Sequence, residues 1–113
     1  MPAHFVLCVD DEPTVLRTTK LVLEREGYMV SAAASVADAL RLLNHRQFNL
    51  LLLNCIPNWA WLIVEAKRIN PLVRVAICTG DLECQELPLA DLILHKPVAP
   101  RLLLQSTAEL LAA

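Results

Sequence analysis

Short, almost uninterrupted apolar runs that each stop at a polar or acidic residue restrict this chain to few folds. Phe5 to Val9 gives way to Asp10-Asp11-Glu12-Pro13, Leu50 to Leu53 to Asn54, Val73 to Cys78, broken only by Arg74, to Thr79-Gly80, and Leu92 to Leu94 to His95-Lys96-Pro97. A strand that is apolar at successive positions has both faces covered. That is the situation in a parallel sheet sandwiched between helices, not in a sheet with one wet face. Leu is a good helix former, so Leu50 to Leu53 is assigned to a strand for its shortness and for the Pro57 that follows. Tyr28 to Ala33 is a further short segment of this kind, preceded by Gly27 in the position of a left-handed helix cap.

Between these runs the apolar period lengthens to that of a helix. The first helix is expected from about Pro13, which the first turn tolerates, with the acidic residues before it complementing the helix dipole. Val15, Thr19, Val22, Leu23 and Glu26 share its mostly apolar face. Ser35 opens the second helix, with Asp38 in place of the usual Glu of a capping box and with Val36, Ala39, Leu40 and Leu43 on one side. Trp61, Leu62, Glu65, Ala66 and Ile69 mark a third helix, ended by Asn70 before Pro71. Pro100 to Leu111 closes the chain, with Leu103, Thr107, Leu110 and Leu111 turned inward. The interval from Gly80 to Pro88, polar with a breaker at each end, has space for at most a short helix. Strands alternating with helices through right-handed crossovers predict an α/β, doubly wound parallel sheet of five strands, in one domain over residues 1–113.

Composition narrows the class further. At 113 residues the chain is near the commonest size of one compact domain, with no room for a second. Hydrophobic residues make up 56% and aromatics only 4%, so the core is expected from Leu, Val, Ile and Ala. A formal net charge of -2 without a run of like charge gives no footprint for direct nucleic-acid binding or for an anionic membrane surface. The apolar runs fall well short of the roughly 20 residues that span a bilayer, and no signal-peptide pattern opens the chain. The expectation is a soluble, cytoplasmic protein. Cys8, Cys55, Cys78 and Cys84 show neither a CxxC pair nor zinc-ligand spacing, so reduced thiols are expected.

In open α/β sheets ligands gather beyond the C-terminal ends of the strands. Here those ends present Asp10 and Asp11, Asn54, Thr79, and Lys96. The segments Val9-Asp10-Asp11-Glu12, Leu50-Leu51-Leu52-Leu53-Asn54, Ile77-Cys78-Thr79-Gly80 and His95-Lys96-Pro97, in this order, resemble the receiver domain of two-component response regulators over nearly the whole chain. The resemblance implies a flavodoxin-like (CheY-like) sheet in the order 2-1-3-4-5, with the fourth helix shortened. It also implies a role in phosphorelay signalling, not catalysis. In that family an acidic pair helps hold Mg²⁺, and an aspartate at the end of the third strand attacks a phosphohistidine or a small phosphodonor. The metal neutralises the transferring group, and a lysine and a hydroxyl receive its oxygens. Matched residue by residue, Asp10, Asp11 and the backbone carbonyl of Ile56 fall in the metal pocket, Thr79 and Lys96 at the phosphate contacts, and Asn54 at the acceptor position.

Asn54 is the decisive departure from the family pattern. A neutral amide cannot form an acyl phosphate and offers a metal one oxygen where a carboxylate offers two. Losing one negative charge about 4 Å away weakens divalent binding by roughly a few kcal/mol at an effective dielectric near 20. Weak Mg²⁺ binding is therefore expected. Pro57 arrives one residue early, the approach to the third helix lacks a glycine, and Ile93 stands where many members carry an aromatic switch residue. The function implied is an atypical receiver acting by phosphorylation-independent contact with a protein partner. That partner is a histidine kinase, an output domain or another regulator, with homodimerisation also open.

Two alternatives stand beside this one. A conventional phosphoaccepting receiver carrying an incidental or engineered Asp-to-Asn change would explain the intact Asp10, Asp11, Thr79 and Lys96. A flavodoxin-like or thiol-based redox protein is the other, although Asp10-Asp11-Glu12-Pro13 is not the Ser/Thr/Gly-rich loop that flavin phosphate needs. Each residue also has a plain structural role open to it. Asp10 and Asp11 can serve the helix dipole alone, and Thr79 can be a turn former. Lys96 can be solvated, or can pair with Asp10 or Asp11 in the absence of a phosphoryl group. Cys8, Cys55 and Cys78 fit as small buried hydrophobes and His95 as a structural residue. Trp59 and Trp61 suit either a partner surface or the core, and core packing is expected for at least Trp61.

Overall fold

The computed structural model describes residues 4–80 and 90–112. Strands β1 (Phe5–Val9), β2 (Met29–Ala33) and β3 (Leu50–Asn54) alternate with helices α1 (Pro13–Arg25), α2 (Val36–His45) and α3 (Trp59–Ile69). Strands β4 (Arg74–Thr79) and β5 (Leu92–His95) follow, and α4 (Pro100–Ala112) comes last among the described residues. Every pairing is parallel, in the order β2-β1-β3-β4-β5. This is the doubly wound arrangement expected above. The short helix expected after Gly80 falls at residues 81–89, outside the described residues.

Alternation along each strand sorts the core into two layers. Leu7, Val9, Leu51, Leu53, Val75 and Ile77 face α2 and α3, packing with Ala39, Leu43, Leu62, Ile63 and Ala66. Val6, Cys8, Leu50, Leu52, Ala76 and Leu94 face the other way, toward Leu23 of α1 and Leu103 of α4. Two covered faces explain why β1 and residues Leu50 to Leu53 of β3 are apolar throughout. Enclosing a Leu side chain contributes about 1.5–3 kcal/mol, whereas intrinsic helix preferences among ordinary residues span about 0.7 kcal/mol. Leu50, Leu51 and Leu53 are fully enclosed, so burial outweighs their helix propensity.

The helix boundaries follow local chemistry. Pro13 occupies the start of α1, and Gly27 takes the left-handed conformation (φ 95) just beyond its end. At α2 the Ser35 hydroxyl accepts the Asp38 N–H at 3.2 Å, one arm of a capping box. The Asp38 carboxylate, a methylene shorter than Glu, pairs with Arg41.

Two assigned faces require correction. Glu26 lies past the last residue of α1 and is exposed, while Leu16 packs in the second layer. In α3 it is Trp59, Leu62, Ile63, Ala66 and Ile69 that turn inward, and Trp61 is 48% exposed, not packed in the core. Both candidate faces of α3 share Leu62 and Ala66, so periodicity alone does not separate them. The start of the helix does. Asn58 sits in the left-handed region (φ 67), α3 begins at once with Trp59, and that side chain covers the layer next to β3.

Candidate functional site

Strand register brings the polar strand ends together. Val9 lies opposite Leu53, and Asn54 opposite Cys78, so Asp10 and Asn54 emerge side by side at the C-terminal edge of the sheet. Continued alternation places them on the α1 and α4 side, above Cys8 and Leu52. Asp10 is buried, with 6% of its surface exposed. A carboxylate so enclosed requires compensating partners, and among the described residues it has three. Its Oδ1 accepts the backbone N–H of Glu12 at 2.9 Å and the Asn54 Nδ2–H at 3.3 Å, and its Oδ2 accepts from Lys96 Nζ at 3.1 Å. The orientation of Asn54 follows from chemistry, since an ionised carboxylate can only accept and the amide must therefore present its nitrogen. Lys96 is held by its own backbone N–H, which donates to the Thr79 carbonyl at 2.9 Å, next to a cis Lys96-Pro97 peptide.

Of the residues singled out from sequence, Asp10, Asn54 and Lys96 thus form one hydrogen-bonded cluster, with Thr79 buried beside it. Lys96 pairs with Asp10, and Asp11 next to it is exposed. Ile56 is buried and its carbonyl accepts the Trp59 N–H at 3.1 Å, so that oxygen serves the entry to α3. Ile93 is half-buried on β5, opposite Ile77. His95 is exposed at the end of the same strand. The Glu12 N–H was missed as a partner. The signal was available, because an Asp side chain followed two residues on by a free backbone donor is the pattern of an Asx turn.

Cys8 and Cys78 are free thiols on the α1 and α4 side. Burial pushes Cys78 up to about 11 and raises Cys8 further still, so both are protonated, apolar side chains at neutral pH. Neither is a redox nucleophile in this state. Cys55, by contrast, takes part in a disulfide, which corrects the expectation of reduced thiols at that position. Spacing along a sequence reveals only local pairs, whereas the fold decides which distant thiols meet. Cys84 lies outside the described residues.

The donor set suits a hard divalent cation poorly. Mg²⁺ demands near-octahedral oxygen ligation. Asp10 already accepts three hydrogen bonds and Asn54 turns its nitrogen inward. Among the described residues no three His, Cys, Asp or Glu side chains are grouped to hold a metal ion. Nor is any helix there long and apolar enough to cross a membrane.

Known proteins share this fold. Residues 6–108 match the family model of the response regulator receiver domain. A receiver domain protein (CheY-like) from Methanospirillum hungatei JF-1 superposes with a TM-score of 0.90 at 34% identity, covering 98% of this chain and 95% of that one. One from Clostridium thermocellum gives a TM-score of 0.87 at 28% identity, covering 96% and 94%. The alginate biosynthesis transcriptional regulatory protein AlgB of Pseudomonas putida is 37% identical over 78 residues, which is 66% of this chain and 17% of that protein's length. The chain thus spans less than a fifth of that relative.

Proposed function

This chain belongs to the response regulator receiver domain family, with Asn54 at the place of the phosphoaccepting aspartate, and from that premise we propose that it signals by binding a protein partner without being phosphorylated. Receiver domains are signalling modules, not enzymes, so the question is how this one is read. The observation that carries the proposal is the hydrogen bond from Asn54 to Asp10. An amide supplies no anionic oxygen for attack on phosphorus, so the acyl phosphate of the family cannot form. The same amide, with Lys96, stabilises Asp10 where two facing carboxylates would need a cation between them. Mg²⁺ binding is accordingly weak. Ile93, which lacks the ring of the family's switch residue, fits a domain whose surface does not change on phosphorylation. The partner, a histidine kinase, an output domain or another regulator, recognises one fixed shape; a second copy of the chain is a further arrangement of the same kind.

Acetyl phosphate with Mg²⁺, read by intact mass, tests the proposal. The wild-type mass stays unchanged, and a labile phosphoryl adduct mapped to residue 54 contradicts the reading. The surviving Asp10–Lys96 pair favours a second reading, in which the amide is an incidental change in a conventional receiver. Under that reading Asn54→Asp alone restores stoichiometric, Mg²⁺-dependent phosphorylation.

A further inference from the structure

Beneath the Asp10, Asn54 and Lys96 cluster, α1 and α4 leave a cavity of about 470 Å³ against the sheet. Its walls include Cys8, Leu52 and Cys78 from the strands, Leu16 and Thr18 from α1 and Leu103 from α4. The volume lies within the usual range of small-molecule sites, which are mostly apolar with a few convergent polar groups. Both thiols are uncharged and most of the lining is apolar; Thr14, Thr18 and Thr19 of α1 add hydroxyls, and Asp10, Asn54 and Lys96 form its strand-end mouth.

We propose that this cavity binds a small amphipathic carboxylate, its alkyl or aryl body between α1 and α4 and its head at Lys96. The inventory of donors and acceptors at the mouth selects the head group. Asp10 accepts from Glu12, Asn54 and Lys96 and has little capacity left. Lys96 carries three N–H donors, of which Asp10 takes one among the described residues, and the Asn54 amide keeps a second hydrogen. Surplus donors call for an acceptor. Among the lining residues Asp10 and Lys96 cancel and Asn54 is neutral, while Asp11 and Glu12 are exposed next to Asp10 and do not line the cavity. An aspartate at residue 54 would leave the mouth anionic and repel a carboxylate. The site therefore rests on the reading that neither Mg²⁺ nor a phosphoryl group occupies the mouth.

Decanoate is the probe and decanol its uncharged counterpart, both titrated into the whole chain and followed by amide NMR. Decanoate saturates at one equivalent and shifts the signals of Cys8, Leu52, Cys78 and Leu103. Lys96→Met weakens decanoate about tenfold, equivalent to about 1.4 kcal/mol, and leaves decanol unchanged, while Lys96→Arg retains decanoate. Thr18→Trp, an exposed wall position, blocks both ligands and decides the matter even if Lys96→Met fails to fold. Absence of saturation, shifts confined to surfaces away from these residues, or an equal loss of both ligands in Lys96→Met overturns the proposal. A phosphoryl adduct at residue 54 in the separate acetyl phosphate assay defeats the earlier reading alone. Failure of decanoate without such an adduct defeats the ligand site alone.

Discussion

An amide and a carboxylate differ at residue 54 by one nitrogen with its two hydrogens, and that difference reverses what Asp10 experiences. The Asn54 N–H is 3.3 Å from Asp10 Oδ1 as donor to acceptor. A second carboxylate there would be a like charge at short range, worth about 1 kcal/mol in a water-like medium and about 4 kcal/mol at an effective dielectric of 20. The Asp10, Asn54 and Lys96 cluster was legible in sequence because polar residues that end buried strands share one sheet edge. The bonded state of Cys55 was not, since it depends on a tertiary proximity that residue identity does not encode, whereas the Asx-turn spacing from Asp10 to the Glu12 N–H was open to reading. Cys78 adds a pH dependence of known sign. Its thiol titrates near 9.0 when unfolded and near 11 when buried. Above about pH 9 the unfolded chain releases this proton first, so Cys78 opposes folding increasingly as pH rises toward 11. Urea midpoints of the wild type should fall over that interval more steeply than those of Cys78→Ala.

Among the elements, α2 and α3 show what local chemistry determines and what packing must decide. The Ser35 cap was evident from its spacing to Asp38, and the hydroxyl does accept the Asp38 N–H. Ser35→Ala is expected to cost about 1 kcal/mol in urea denaturation. The buried face of α3 is centred on Leu62 and Ala66, which Trp59 joins at helical i, i+3 spacing. Trp61 falls in line with Glu65 on the edge of that face and was grouped with it by the sequence pattern. Asn58 resolves this by ending the loop in the left-handed conformation (φ 67), after which α3 starts at once with Trp59. Since Trp61 is half exposed, Trp61→Ala should change stability by no more than about 0.5 kcal/mol. A loss of about 3 kcal/mol or more, the range for a core Trp, would restore the core assignment.

For the molecule as a whole, the parallel two-layer architecture was written in apolar runs too continuous for a half-wet sheet, and the observed layers of odd and even strand positions bear this out. The order β2-β1-β3-β4-β5 came only with the family resemblance, because alternation of elements fixes handedness and parallel pairing but not which strands are neighbours. The cavity between α1 and α4 was illegible for a similar reason, as it depends on how closely two helices distant in sequence approach one sheet. The acid edge ties these scales together: the sheet delivers three strand ends to one point, and an amide lets that point hold without a metal. Urea unfolding of the wild type and Asn54→Asp, each in EDTA and in excess Mg²⁺, examines this in one experiment. The wild-type midpoint should be the same in both media, while Asn54→Asp should be less stable by about 1–3 kcal/mol in EDTA and regain stability with Mg²⁺. Equal stabilisation of both proteins by Mg²⁺, or an Asn54→Asp variant no weaker than the wild type in EDTA, would contradict it.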